Sequence, residues 1–278
     1  SRLLPRLEGV LMGSFSATWL KESWKRWLAW LILASLFAVA CVFLSQWQFS
    51  RRAEAVARIE LVQNNFDQAL APLGSLTEPF ESKNEWRPVE LEGRFLVEDA
   101  FLVRNRPFNG TAGFLQFIPF ETKDGTLVAV ETGWLPSGNE QDEPDLVPVP
   151  TEESVKIWGR LRPTEPKSSK DAPAGQLASV NSSTLFEKAG LSGQTLDSVY
   201  IRLGESYRPG EVLPKVLGKP DLNEGNHLSY AMQWILFALM AFGALWWAVR
   251  QELRIRRMSS DPNYRPKTRK KVGDDDKN

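Results

Sequence analysis

WLAWLILASLFAVACVFLSQWQFS, residues 27–50, carries no charged side chain, and neither does NHLSYAMQWILFALMAFGALWWAV, residues 226–249. Each run is 24 residues long. At about 1.5 Å of rise per helical residue either covers roughly 36 Å, enough to cross a hydrocarbon core of about 30 Å with some tilt. The 278-residue chain, with 34 basic and 34 acidic residues, averages to a neutral soluble protein, but the charges are not spread evenly. The patterning predicts an integral membrane protein with two transmembrane helices. Bulk positive charge is absent, so no nucleic-acid partner is expected. The only cysteine, Cys41, lies inside the first run, which excludes a disulfide scaffold.

Charge then orients the molecule. Residues 1–26 carry five basic and two acidic residues, and residues 250–278 carry ten and five. Residues 51–225 carry 19 basic and 27 acidic residues. Lys and Arg beside membrane helices resist translocation, so both tails are expected in the cytoplasm and residues 51–225 outside. Arg51, Arg52 and Arg58 run against this, just past the first span, but the cluster Arg250, Arg254, Arg256, Arg257 is denser. The first run is longer than a signal-peptide core and no small-x-small cleavage site follows it, so it reads as an uncleaved anchor. Ser45-Gln46-Trp47-Gln48 reads as an interfacial aromatic anchor. Leu7 to Leu20 is too short and polar to span; it reads as an interfacial helix or a disordered tail. Lys267 to Asn278 reads as disordered.

Past the first span, Arg51 to Leu73 lacks helix breakers until Pro72 and predicts a helix leaving the bilayer. Strand periodicity follows. Val89, Leu91, Phe95, then Val155, Ile157, Leu161, then Val199, Ile201, Leu203 alternate with polar residues. Three further apolar runs lie at Phe101–Val103, Phe114–Phe120 and Thr126–Trp134, the last two joined through Lys123-Asp124-Gly125 as a hairpin. Asn181–Ala189 reads as one helix, and Glu140–Pro150 and Pro163–Pro173 as exposed loops. The predicted fold is an α+β membrane protein: two transmembrane helices flank an outer, mainly antiparallel β domain, a small barrel or sandwich.

That domain carries no phosphate-cradling glycine motif. It has no cysteine, and nothing in the spacing of its acids selects a catalytic pair, so no catalytic residue is assigned and no enzyme is predicted. Asn109-Gly110-Thr111 and Asn181-Ser182-Ser183 match a glycosylation sequon without an assigned role. The single histidine, His227, opens the second span, and helical spacing puts Tyr230 and Trp234 on its face. An imidazole lone pair can ligate a metal or heme iron, with aromatic rings packing on a porphyrin. The alternative is an amphipathic anchor whose polar end stays wet at the interface. One histidine cannot supply both axial ligands.

In chain order, three groups of residues resemble the surfeit locus protein one family, from about Leu44 to Trp247. They are Trp47-Gln48-x-x-Arg51-Arg52; Arg106, Gly113, Pro119, Gly125 with Gly133-Trp134-Leu135-Pro136; and Asn226-His227-x-x-Tyr230-Ala231-x-x-Trp234. The resemblance implies a non-enzymatic assembly factor of heme–copper cytochrome c oxidase, assisting delivery of heme a to the catalytic subunit. It also implies transient heme a binding at His227, with Trp47, Tyr230 and Trp234 forming an apolar shelf. Ser45 stands where the family usually has Gly, which predicts looser packing between the spans. Thr132 stands where Arg usually precedes Gly-Trp, which removes a charge. A second reading is a structural accessory that stays on the mature oxidase or a respiratory supercomplex without binding heme. Its motive is a set of aromatic surface candidates, Trp86, Trp134 and Trp158, for which core packing competes. A two-span sensor or adhesion protein is a remote third. A bacterial plasma membrane is expected rather than the mitochondrial inner membrane, because residues 1–26 lack an acid-free, Arg- and Ser-rich presequence.

Overall fold

The computed structural model describes residues 15–77, 79–140, 142–150, 153–204 and 214–260. In chain order it contains α1 (Phe15–Asn65), β1 (Ala71–Pro72), α2 (Gly74–Thr77), β2 (Pro88–Phe95) and β3 (Phe101–Val103). There follow β4 (Gly113–Thr122), β5 (Leu127–Pro136), β6 (Val155–Pro163) and β7 (Gln176–Leu177). The last three elements are α3 (Ser182–Ala189), β8 (Thr195–Leu203) and α4 (His227–Ser260). The tail 267–278 lies outside the described residues. So does 7–14 of the proposed interfacial segment, whose remainder from Phe15 already belongs to α1. The chain divides into two compact units, residues 1–54 with 224–278, and residues 55–223.

In the first unit both helices are long and apolar enough to cross a membrane, and each continues well past its charge-free run. Their outward faces carry large apolar side chains such as Leu36, Phe43, Leu239 and Trp247. Water would not tolerate such faces, whereas lipid does. The two helices run antiparallel: Arg26 pairs with Glu252 at 2.6 Å, and Gln48 meets His227 near the other end. The protected positions of α1, namely Ala34, Ala38, Cys41, Ser45 and Gln48, recur at alternating spacings of four and three. That period makes one continuous seam along the helix, and small residues let backbones approach in lipid. Ser45 does not loosen the seam as its departure from Gly suggested. It is buried, and its hydroxyl donates to the Ala231 carbonyl at 3.1 Å, with Ala231 fully covered.

In the second unit, α1 stops at Asn65 instead of running on to Leu73. The Asn65 amide turns away from the helix to donate to the carbonyls of Lys83, at 2.6 Å, and Glu85, at 2.8 Å. The chain then becomes extended, and β1 pairs in parallel with β2.

Five strands close into a barrel in the order β2-β6-β8-β5-β4 and back to β2, with every seam antiparallel except β5–β8. The mainly antiparallel domain of the sequence reading is therefore a small closed barrel, not a sandwich. Closure removes the exposed edges that an open sheet would present. Its interior is filled by alternate residues of each strand, Val89 and Leu91, Ile118 and Phe120, Val128 and Val130, Ile157 and Leu161, Ile201 and Leu203. A second cluster, with Leu115, Phe117, Ala129, Leu185, Phe186 and Tyr200, covers the other face of β4, β5 and β8 beneath α3. Because β4 and β5 are covered on both faces, their sequences read as largely apolar runs, interrupted by the buried Gln116, Glu131 and Thr132.

Local chemistry fixes the connections. The β4–β5 hairpin turns at Gly125, with φ +86°. Both sequons have structural roles: Asn109 and Gly110 take positive φ in a tight turn bridged by Phe108 and Thr111, and Asn181 caps α3 by accepting from the Thr184 amide at 2.8 Å. The loop before β6 is tied to the barrel by Gln116, whose side-chain amide donates to the Pro148 carbonyl at 2.7 Å.

Candidate functional site

His227 is the first residue of α4, is half-buried, and meets Gln48 of α1. Its Nδ1 lies 2.8 Å from Oε1 of Gln48. An amide oxygen only accepts, so Nδ1 carries a proton, and in the neutral tautomer the lone pair lies on Nε2. That nitrogen flanks Gly225, which has φ +74°; a Cβ there would stand 3.6 Å from it. Glycine thus supplies the left-handed turn into α4 and keeps one side of the imidazole clear. One helical turn beyond Gln48, Arg52 reaches Glu224 at 3.0 Å, while its buried Nε–H has no acceptor.

The other three expected residues surround this point differently. Trp47, next to Gln48 on α1, is exposed, and so is Tyr230. Trp234 is half-buried one turn below Ala231 and packs edge-on against Phe237, ring centres 5.7 Å apart. Among the described residues the hydrogen-bond partner of His227 is therefore polar, Gln48, and not an aromatic ring. Among the described residues no three His, Cys, Asp or Glu side chains cluster to hold a metal, so a metal here would rest on His227 from this chain. The arrangement would suit one protein ligand to a heme iron: an imidazole oriented by a hydrogen bond through its other nitrogen.

The sequence pattern of the SURF1 family matches residues 35–239. The chain belongs to the SURF1 family. It is 30% identical over 254 residues to uncharacterized SURF1-like proteins of Mycobacterium tuberculosis and Mycobacterium bovis, covering 87% of this chain and 91% of theirs. It is also 28% identical over 148 residues to the cytochrome oxidase assembly protein SHY1 of Saccharomyces cerevisiae, half of this chain and 38% of that protein.

Within this SURF1-family chain, the markers of the barrel form a second constellation. Arg106 donates to both carboxylate oxygens of Glu165 at 2.7 and 2.6 Å, and the Trp134 indole N–H donates to the Arg106 carbonyl at 2.6 Å. Burial opposes ionisation of Glu165, but hydrogen bonds from Arg106 and the Val180 amide outweigh it and hold the carboxyl below its usual range. Thr132 replaces a charge with a buried hydroxyl that donates to Gln116 at 2.5 Å. Trp86 and Trp134 are buried and Trp158 is half-buried, so two of the three suspected surface aromatics pack inward. Trp86 has a guanidinium, that of Arg162, 3.8 Å above its ring.

Sequence reasoning missed Gln48, Gly225 and the Arg52–Glu224 pair. Gln48 belongs to the Trp47-Gln48 marker, and the 4-3 spacing from Cys41 through Ser45 puts it on the seam that faces α4. That spacing was the available signal.

Proposed function

We propose that this protein is a non-enzymatic assembly factor of heme–copper cytochrome c oxidase, which holds heme a in transit to the catalytic subunit through Nε2 of His227. The observation that carries the reading is the 2.8 Å bond from His227 Nδ1 to Gln48, which orients the imidazole and leaves Nε2 as the nitrogen that could ligate. Membership of the SURF1 family and similarity to a yeast protein named for cytochrome oxidase assembly support the pathway. Heme supplies the iron and a large apolar ring, whose removal from water favours binding by roughly 25 cal/mol per Å². Trp47, Tyr230 and Trp234 offer apolar surface, and Arg52 offers a cationic N–H suited to carboxylates. A single protein ligand suits a carrier that must release what it holds. The two helices anchor the protein in the bilayer, with both tails in the cytoplasm of a bacterium and residues 55–223 outside.

The test is the absorption spectrum of the full-length protein purified from cells that make heme a. A heme a band is expected in wild type and absent in His227→Ala. Gln48→Leu leaves the ligand but not its orientation, and is expected to weaken heme retention by about 10–100-fold. A heme-free wild type, or an unaltered band in His227→Ala, overturns the reading. Stoichiometric recovery with fully hemylated oxidase, and no heme on the protein itself, would favour a structural accessory instead.

A further inference from the structure

The second group of family markers has no part in the heme reading, yet it borders a pocket. Arg104 to Pro107, leaving β3, face Ala112 to Phe114 at the start of β4, with Ser137 and Asp142 beyond the end of β5. Together they enclose 540 Å³, within the range of small-molecule sites. Backbone bonds fix this mouth: the Arg106 amide donates to the Gly113 carbonyl at 2.9 Å, and the Ser137 amide to the Ala112 carbonyl at 3.1 Å.

Each of the two arginines keeps one Nε–H without an acceptor among the described residues. Arg106 spends both terminal nitrogens on Glu165 and its carbonyl on Trp134, and its Nε–H is buried without an acceptor. Arg104 also has a buried Nε–H without an acceptor, and its guanidinium has no partner among the described residues. Between them Asn105 takes φ +57°, a left-handed turn conformation that asparagine tolerates better than most residues. A buried cationic donor without an acceptor has lost water and gained nothing; Arg52, Arg87, Arg162 and Arg202 share this state, but only Arg104 and Arg106 border this pocket. A guanidinium edge matches the oxygens of a carboxylate or phosphate.

We propose that this pocket binds a small molecule through a terminal oxyanion, a phosphate or a carboxylate, received by Arg104 and steadied by Arg106. Asp142 is the one acid among the lining residues, and it opposes the anion. It therefore provides an internal control: removing its charge tightens an oxyanion site, whereas a purely structural role for the pocket predicts no such gain.

The experiment is calorimetric titration of the full-length protein in detergent with inorganic phosphate and, separately, with citrate, at fixed ionic strength. One-to-one binding of at least one probe is expected, and the tighter probe identifies the phosphate or carboxylate class. Arg104→Gln is expected to weaken it by about tenfold or more, the value of a charged hydrogen bond. Asp142→Asn is expected to tighten it, and Arg94→Gln, an exposed arginine paired with Glu121 away from the pocket, to leave it unchanged. If Arg104→Gln loses its near-ultraviolet circular dichroism, Arg104→Lys takes its place; it keeps the charge without the fork and must still bind more weakly. Failure of both probes to bind, or wild-type affinity in the Arg104 variants, overturns the proposal.

Discussion

Glu131 is a fully buried carboxylate in the wall of the barrel, and its one counter-charge is Arg202 on the neighbouring parallel strand. Arg202 Nη2 donates to one carboxylate oxygen at 3.1 Å, and Nε lies 2.8 Å from the other without hydrogen-bond alignment. Burial, followed by the Glu131 charge, pushes the adjacent Tyr200 phenol up, so it stays neutral. Breaking such a pair leaves a stranded charge, so Glu131→Leu is expected to destabilise the protein by about 3–5 kcal/mol in denaturant unfolding. Adding Arg202→Met should recover most of that loss, since apolar replacement of a whole buried pair is often neutral. Glu165 gives a pH-dependent counterpart. Its pKa is lower in the folded protein than its ordinary 4.5, so the Arg106–Glu165 pair stabilises above that value. The contribution is lost as pH falls from about 4.5 through the depressed folded value. Glu165 is more than a third exposed, so the discounted effect is about 1 kcal/mol. A thermal-melt series should show Glu165→Gln less stable than wild type at neutral pH, with the difference shrinking in acid. None of these partners was legible in sequence. A lone Glu in an apolar run announces burial, but naming Arg202 requires the strand register, and naming Gln48 for His227 requires the helix register.

Elements were more legible than their partners, because period and breakers are local. The six strands of β2 to β6 and β8 and the cap of α3 follow from alternation, Gly125 and Asn181. The two-residue β1 and β7 leave no periodic trace, and the early stop of α1 depends on Asn65 reaching two distant carbonyls. The parallel β5–β8 seam, joined only through β6, β7 and α3, is equally invisible to local patterning. Barrel closure turns on one residue. Gly93 is where β2 leaves β6 and takes up β4, and a Cβ there would stand 2.0 Å from the Glu121 carbonyl oxygen. A backbone atom cannot swing aside, so Gly93→Ala is expected to cost about 3 kcal/mol, the upper end for overpacking, and to lower the thermal midpoint. The helix seam responds to size in the same way. Ser45→Gly loses a hydrogen bond worth only about 0.6 kcal/mol in lipid, whereas Ser45→Leu must part α1 from α4. Disulfide trapping between cysteines placed at Gln48 and His227, with Cys41 replaced by Ala, should persist with the first substitution and fall sharply with the second.

For the whole molecule, the decisive quantity is the side on which residues 55–223 stand, since the proposed heme-carrier role depends on it. The arginines that argue against an outward barrel are partly neutralised: Arg51 pairs with Glu54 and Arg52 with Glu224. At the other end of α4, Arg254 and Arg257 have no acidic partner among the described residues, and Arg250 lies over Trp246 at 4.2 Å, as an interfacial anchor would. Orientation follows Lys and Arg close to the membrane, and the denser cluster Arg250, Arg254, Arg256 and Arg257 is what the expectation of a cytoplasmic α4 end rests on. Single cysteines in a Cys41→Ala background read the outcome directly, because Cys41 is buried and its removal leaves no other thiol. With an impermeant maleimide on intact cells, Thr111→Cys, in the exposed turn before β4, is expected to label at once. Ser259→Cys, at the exposed end of α4, should label only after the membrane is opened. The reverse pattern would put His227 on the cytoplasmic face, and the heme-carrier reading would have to be abandoned even though the barrel and its oxyanion pocket stood unchanged.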